Sequence, residues 1–413
     1  MSGFQAPKGT SDVLPAQEAV RSRIEEAARG IFARAGYGRI ETPVFEDTEL
    51  FERGVGDSTD IVQKQMFTFE DQGGRSVTLR PEGTAPVCRA YAEHGMHKLA
   101  QPVRLWYQGP FFRYEAPQAG RFRQFFQIGA EAIGSDSPLV DAELIMLLDE
   151  LLRALEVPGV ELLLSSLGSL EARAAYREEL VAYLHEHEND LGKDARARID
   201  SNPLRVFDSE DPGTRAVMSG APTMLDRLEG ADAEHFGEVR ALLDQAGVSY
   251  TLDGTLVRGL DYYTRTVFEF TCDRLGAQSG LGGGGRYDGL IELLGGPATP
   301  AAGWAAGIER IALALGDTAG QQPERDAFVA VSDPSEAGRA MALVTELRHA
   351  GLSVELDMAG RGLKGQLKQA DRVGARYTVI LDADSVQLRD MSSGEQREVD
   401  PAALAEQIGT GGN

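Results

Sequence analysis

The chain has 413 residues, 42% of them hydrophobic and 25% charged, with a formal net charge of −23. That length implies two or three domains and a core large enough to need no cross-links, and its two distant cysteines, Cys88 and Cys272, exclude a disulfide framework or a zinc site. No run nears the roughly 20 apolar residues of a membrane span, and MSGFQAPKGTSDVLP has no basic stretch followed by an apolar block, so a cytoplasmic protein without membrane association is expected.

Ala16 to Ala35 places Ile24, Ala27, Ala28, Ile31 and Phe32 at helical spacing and ends at Gly36, which predicts an amphipathic helix. GYGRIETPVFEDTELF reads as a strand interrupted by Pro43, which has no amide hydrogen and so fits an edge or a bulge. MFTFED and SVTLRPEGT read as two strands joined by a turn at Asp71–Gly74. RLWYQGPFFRYE and RFRQFFQIGAEAIG read as another strand pair, and Ser137 to Leu155 as a helix. From about 168 to 248 the chain turns charged and helical, as in SLEARAAYREELVAYLHEHEND, which suggests an inserted helical module. Strands resume at VSYTLDGTLVRGLDYYTRTVFEF, followed by a glycine-rich turn and the helix GIERIALAL. Residues 316–325 look like a linker. The tail alternates AFVAVS, EAGRAMALVTELRHAG, SVELD, LKGQLKQADRVGA and YTVILD, the strand–helix alternation of a small, largely parallel α/β domain. The expected fold is therefore α+β on a mostly antiparallel sheet, with a helical insertion, followed by α/β.

Metal chemistry finds no support in the histidines. His94 and His97 have no accompanying carboxylate cluster, and His185 and His187 lie in LHEHEND, a solvated helix end. The acidic net charge speaks against nucleic acid, because Lys and Arg contacts dominate phosphate binding. A local patch can outweigh the total.

Period-two alternation through RFRQFFQIGAE puts Arg123, Phe125, Gln127, Gly129 and Glu131 on one face. Gly129 between two polar residues leaves room for a ligand against the sheet. In LRPEGT, Glu82 can accept an ammonium and Thr84 can support it through its hydroxyl. Arg113 ends its strand beside Glu115, and a planar guanidinium suits phosphate or carboxylate. In RGLDYYTRT a strand would turn Tyr262 and Tyr263 to opposite sides, Arg258 sharing one side with Tyr262. SGLGGGGRYDGL contains GxGxxG at Gly280, Gly282 and Gly285, but a dinucleotide site needs a strand before it and a helix after it in a βαβ unit. A turn that lets backbone approach a ligand is the reading preferred. Arg310, inside the apolar helix of GWAAGIERIALAL, needs an anionic partner or solvent.

In this order the segments resemble the histidyl-tRNA synthetase family of class II aminoacyl-tRNA synthetases, over nearly the whole chain. GYGRIETPVFEDTELF, QGPFFRYEAPQAGRFRQFFQIGAEAIG and GWAAGIERIALAL look like the three class II motifs. LVRGLDYYTRTVFEF and GGGGRYDGL are similar to the two histidine-specific motifs, and residues from about 326 resemble the anticodon-binding domain. The resemblance implies a class II catalytic domain over 1–320, inserted at about 168–248, and an α/β anticodon-binding domain over 326–413.

It further implies a ligase that activates L-histidine with ATP and transfers it to tRNA(His), with Mg²⁺ on the ATP phosphates, and a homodimer through the first motif. Glu82, Thr84 and Gln127 would hold the substrate ammonium, and Glu131, Tyr262 and Tyr263 its imidazole. Arg113, Arg121 and Arg310 would bind ATP phosphates, while Arg258 would sit beside the α-phosphate and the substrate carboxylate, with Arg113 and Arg258 as the catalytic pair. Ala116 departs from the family, where a basic residue commonly meets the acceptor end; Gln118 remains to reach a base edge. On the tail, Lys364, Lys368 and Arg372 share a helix face in a basic stretch that also holds Arg361 and Arg376, a candidate RNA contact. The rival readings are a synthetase-like regulatory subunit of ATP phosphoribosyltransferase, a nicotinamide dehydrogenase using Gly280 to Gly285, and a synthetase for another amino acid.

Overall fold

The computed structural model describes residues 4–56, 59–116, 120–276, 279–316 and 325–410. The chain divides into two compact units, residues 1–319 and 320–413.

The first unit opens with α1 (Pro15–Arg34), whose Val20, Ile24, Ala28, Ile31 and Phe32 are buried. The next segment is not one interrupted strand. β1 (Gly38–Arg39) and β2 (Phe45–Asp47) belong to different sheets, and Pro43 lies in the crossing between them. Asp47 then accepts from the Glu49 amide at 3.1 Å and starts α2 (Thr48–Val55), so the acidic end of the segment is a helix cap rather than strand. β3 (Phe67–Glu70) and β4 (Ser76–Leu79) pair antiparallel, with β2 on the other side of β4. RPEGT leaves the strand and bends into α3 (Thr84–Glu93).

β5 (Val103–Phe112) and β6 (Gln124–Ile133) form a ten-residue antiparallel pair in which Tyr107 faces Gly129 and Gly109 faces Gln127. α4 (Pro138–Ala154), capped by Ser137, and β7 (Val160–Ser166) follow. The helical stretch comprises α5 (Leu170–Glu186), α6 (Lys193–Arg196), α7 (Pro212–Met218) and α8 (Gly230–Gln245). Tyr176, Leu180, Leu184, Ile199, Val206 and Met218 share a core of their own. α8 instead packs on α4, and its Phe236, Val239 and Leu243 join the main core.

β8 (Thr251–Leu252), β9 (Thr264–Cys272), β10 (Gly280–Arg286), α9 (Leu290–Leu293), β11 (Ala301–Gly307) and α10 (Ile308–Leu315) complete the unit. Its eight-stranded sheet has the order β1-β5-β6-β11-β10-β9-β7-β8, antiparallel except for the parallel end pairs β1–β5 and β7–β8. Gly280–Arg286 is thus an interior strand, not the expected turn. The glycines are there because the neighbours come so close: a Cβ on Gly282 would stand 2.5 Å from the Ala306 Cβ, and one on Gly284 would stand 1.9 Å from the Gly303 carbonyl oxygen. The same antiparallel setting rules out a strand-to-helix dinucleotide loop.

The second unit runs β12 (Arg325–Val331), α11 (Ala337–His349), β13 (Val354–Leu356), α12 (Leu363–Arg372), β14 (Ala375–Leu381), β15 (Val386–Asp390), β16 (Gln396–Glu398) and α13 (Leu404–Thr410). β12 pairs parallel with β13 and β14, as the alternation predicts. β15 and β16 extend the sheet antiparallel, so it is mixed rather than largely parallel. Their tight turn is built on Asp390, whose Oδ1 accepts from the Ser392 and Ser393 amides at 2.8 and 2.9 Å. Most of the expected linker, residues 317–324, lies outside the described residues.

Candidate active site

A cavity of about 580 Å³ opens in the first unit over the middle of the large sheet, walled by Glu82, Thr84, Arg113, Arg121, Gln127, Arg258, Tyr262, Tyr263 and Arg310, all singled out in the sequence. Strand geometry explains the gathering. Gln127 comes from β6, Arg113 follows β5, and Arg310 lies on α10, directly after β11.

Glu82 and Thr84 enter through the break after β4. Pro81 cannot donate to a ladder, and the Glu82 carboxylate accepts from the amides of Thr84 at 2.7 Å and Ala85 at 2.9 Å, which fixes it at the N-terminus of α3. Burial raises its pKa, against those two amides. Thr84 Oγ1 donates to Glu131 Oε1 at 2.8 Å.

Glu131 itself is fully buried and is not part of the cavity wall. It accepts from three hydroxyls: Thr84, Tyr107 at 3.3 Å, and Tyr287. Burial pushes its pKa up to about 8, with the hydroxyls of Tyr287 and Thr84 pulling the other way. The room expected above Gly129 is filled. A Cβ on Gly129 would stand 2.3 Å from Tyr107 Cζ, and one on Gly83 would stand 2.4 Å from the same atom, so the Tyr107 ring lies between two glycines.

The other end of the cavity is cationic. Arg121 Nη1 is 3.2 Å from Glu115 Oε2, and Arg258 Nη1 is 3.2 Å from Glu269 Oε1. Arg310 Nε donates to the Gly280 carbonyl. Arg113 stands between the ends: its Nε donates to the Pro81 carbonyl at 2.8 Å, its guanidinium lies 5.4 Å from the Phe125 ring, and its charge feels both Glu115 and Glu82. Burial lowers the pKa of Arg113 and of Arg310. At Arg258 burial acts the same way, and Glu269 and the two tyrosines outweigh it.

Among the described residues three buried polar atoms of this wall lack a hydrogen-bond partner, Oε2 of Glu115, Oε1 of Gln127 and Nε of Arg258. Glu115 Oε2 already faces the Arg121 guanidinium, which leaves Gln127 Oε1, an acceptor, and Arg258 Nε, a donor. An unsatisfied pair of this kind on a cavity wall calls for a ligand carrying both complements.

Tyr262 and Tyr263 are not on a strand. Residues 259–262 form a bend and turn, and β9 starts only at Thr264, so both tyrosines line the cavity instead of facing opposite sides. Their rings lie 4.7 Å apart, and Tyr262 meets Tyr287 edge-on at 5.6 Å. Gln118 lies outside the described residues. Lys364, Lys368 and Arg372 belong to the second unit, all exposed on α12. Arg361 and Arg376 do not add to that patch as free charges, since Arg361 pairs with Asp357 and Arg376 with Asp326 at 3.0 Å.

Sequence reasoning missed Tyr107, Tyr287 and Glu269. Tyr107 had a signal, an aromatic residue facing a glycine across a predicted strand pair. Tyr287 sits in GRYDGL beside Arg286, a fully buried cation bound to Asp141 and to the carbonyls of Ser135 and Ser137. That cluster anchors the end of β10 and so aims the tyrosine at Glu131.

Comparison with known proteins agrees with this geometry. The family model described as histidyl-tRNA synthetase matches residues 9–311, and an anticodon binding domain model matches residues 326–410. The chain is 47% identical over 400 residues to a histidine–tRNA ligase of Thermosynechococcus vestitus, covering 95% of this chain and 94% of that one. To a histidine–tRNA ligase of Halorhodospira halophila it is 50% identical over 386 residues, covering 92% and 90%. The solved structure of apo S. aureus histidyl-tRNA synthetase superposes with a TM-score of 0.82 at 35% identity, covering 98% of this chain and all of that one. A cavity with a carboxylate-and-tyrosine end and an arginine end, on a sheet matched over its full length, leaves one conclusion: the chain belongs to the histidyl-tRNA synthetase family.

Proposed function

We infer that the chain activates L-histidine with ATP and transfers it to tRNA(His). The observation that carries this reading is that Gln127 Oε1 and Arg258 Nε, on one cavity wall, have no hydrogen-bond partner among the described residues. An α-amino acid supplies the two complements, its ammonium to the glutamine oxygen and its carboxylate to the guanidinium. Glu82 and Thr84 then stand on the ammonium side, and Glu131 receives an imidazole N–H from behind Thr84 and Tyr107, with Tyr262 and Tyr263 closing the ring pocket. Glu131 reaches a ligand only by giving up or sharing one of its present hydroxyl donors.

In the first step the histidine carboxylate oxygen bonds to the α-phosphorus of ATP in line, and the bond to the β-phosphate bridging oxygen breaks, releasing pyrophosphate. Charge accumulates on phosphoryl oxygens, so fixed cations lower the barrier. Arg258, oriented by Glu269, and Arg113, oriented by the Pro81 carbonyl, are the catalytic cations. Arg121 and Arg310 take the outer phosphates. In the second step the terminal ribose hydroxyl of tRNA attacks the adenylate carbonyl and AMP leaves.

Among the described residues no group of three or more His, Cys, Asp or Glu could hold a metal ion. At the cationic end of the cavity the carboxylates of Glu115 and Glu269 are already paired with arginines, and Glu82 is held by the Thr84 and Ala85 amides. These residues do not build a protein cage for Mg²⁺, which fits an ion held by the phosphate oxygens and water. A homodimer through residues 36–51 and a cytoplasmic location, where ATP and tRNA are met together, complete the proposal. The acceptor end and the basic face of α12 are the assigned RNA contacts, Gln118 and Lys364, Lys368 and Arg372.

Exchange of labelled pyrophosphate into ATP, run with each of the twenty amino acids, tests the reading. Exchange with histidine alone is expected. Absence of histidine-dependent exchange overturns it and leaves a regulatory, non-catalytic role.

A further inference from the structure

The turn that brings Tyr262 and Tyr263 to the cavity is outside any strand, so something else must hold its shape. α5 does so. Arg173 Nη1 donates to the carbonyl oxygens of Asp261 and Tyr263, each at 3.0 Å. Those carbonyls flank Tyr262. One guanidinium bridging them fixes the backbone on both sides of that residue, and with it the direction in which the phenol leaves the chain.

The anchor is itself rigid. Arg173 lies one turn into α5, whose N-cap, Ser169, has its amide bound to Asp232 at 2.8 Å. Asp232 also takes Arg265 Nε at 3.1 Å, and the Arg265 backbone exchanges 2.7 Å hydrogen bonds with Leu167 and Gly168. The start of α5 is thus tied to the residues that leave the tyrosine turn. On the opposite side Asp261 rests on Gly56, where a Cβ would stand 2.9 Å from its carboxylate, and its amide donates to the Val55 carbonyl at 3.3 Å. Asn202, beyond α6, adds a contact to Asp261 Oδ1 at 3.5 Å.

We propose that Arg173 is a positioning residue for amino-acid recognition, through which the helical segment sets the place of Tyr262 at the histidine end of the cavity. It touches no substrate and acts only through the turn. The proposal rests on the histidine-activating function inferred above.

The test uses the full chain carrying Arg173→Ala, Arg173→Lys, Tyr262→Phe and the Arg173→Ala/Tyr262→Phe pair, with KM for histidine and for ATP read separately in pyrophosphate exchange. Losing two partly buried, charge-assisted hydrogen bonds should raise KM for histidine about tenfold or more in Arg173→Ala, with KM for ATP unchanged. Arg173→Lys, whose ammonium can still donate to both carbonyls, should show a rise of only about threefold. The double variant should fall short of the product of the two single effects, because both act on one tyrosine. An unchanged KM for histidine, an equal rise for both substrates, or effects that multiply would overturn the role of Arg173. Should Arg173→Ala not fold, Arg173→Lys carries the same criterion: a selective rise supports the role and equal or absent effects end it. Wild-type chain without histidine-dependent exchange would sink the function itself, a separate outcome.

Discussion

Tyr287 donates its phenolic hydroxyl to Oε2 of Glu131, a carboxylate with no exposure to solvent. Twin hydroxyls on the other oxygen, from Thr84 and Tyr107, complete a ring of donors around one buried acid. The donors favour the ionised form, yet burial dominates and holds the pKa at about 8. A carboxyl raised this far binds its proton more tightly folded than unfolded. Its contribution to stability is full at acid pH, declines as pH rises through the usual carboxylate range of about 4, and is gone above about 8. Glu131→Gln cannot ionise. The melting temperature of the wild type should therefore fall relative to Glu131→Gln as pH is raised from about 4 to about 8, and the gap should then stay constant. Parallel melting curves for both proteins across that range would show that Glu131 does not titrate so high.

The same group governs substrate binding in the proposed mechanism. An imidazole N–H needs an acceptor, and the ionised acid is the stronger one. KM for histidine should fall as pH rises toward about 8, with KM for ATP following no such trend. Glu131→Gln should flatten that arm and weaken histidine binding at alkaline pH. Glu131→Ala should weaken it at every pH while ATP binding changes little. Equal losses for both substrates would take the imidazole role away from Glu131.

Gly129→Ala tests the tyrosine above the sheet. Its Cβ would meet Tyr107 Cζ at 2.3 Å, and the ring cannot retreat because Gly83 closes the other side in the same way. Overpacking of this kind typically costs about 1–3 kcal/mol. The variant should melt lower and also show a higher KM for histidine, because the displaced Tyr107 ring is part of the cavity wall. Gly338→Ala is the control: it lies in α11 with nothing within 4 Å, so its stability should hold or rise. Identical melting of the two variants would mean that Tyr107 is free to move.

How far the site can be read from sequence depends on the range of the forces that build it. The β5–β6 pair was readable because alternation is local, and it places Gln127 and Glu131 on one face of β6. α1 and the first five elements of the tail were readable for the same reason. The tyrosine turn was not, since Arg173, far away in sequence, holds a conformation that TRTVFEF alone would extend as strand. The glycines of β10 looked like a turn because their cause, the approach of Ala306 and Gly303, sits on another strand. Glu131 looked like a wall residue because alternation shows its face but not the Tyr107 ring in front of it. β15 and β16 are short and half polar, so period two hardly marks them. The assignment of roles within the cavity came from family resemblance; spacing alone left each residue with an ordinary structural alternative.

Arg258 separates the two chemical steps. Its guanidinium is oriented by Glu269 at 3.2 Å, and its Nε has no hydrogen-bond partner among the described residues. If it stabilises charge at the α-phosphorus, Arg258→Ala should slow adenylate formation by about 10²–10³-fold, the usual cost of one preorganised donor. Transfer from preformed adenylate should slow far less. Glu269→Gln should slow the first step by a smaller factor, because the arginine stays but loses its orientation. Single-turnover kinetics of each step decide the matter, and equal slowing of both would contradict the assignment.

The exposed face of α12 offers the last test, one that leaves the cavity untouched. Lys364, Lys368 and Arg372 recur every four residues and are all exposed, while Arg361 and Arg376 are neutralised by Asp357 and Asp326. In a chain of net charge −23 this concentrates the cationic attraction on three side chains. Replacing all three by Ala should weaken tRNA binding and reduce the slope of log affinity against log salt by about one per lost phosphate contact. Histidine-dependent pyrophosphate exchange, which needs no tRNA, should stay at the wild-type rate. An unchanged salt slope would move the RNA contact off α12, and a loss of exchange would mean that the substitutions act on the catalytic unit rather than on RNA.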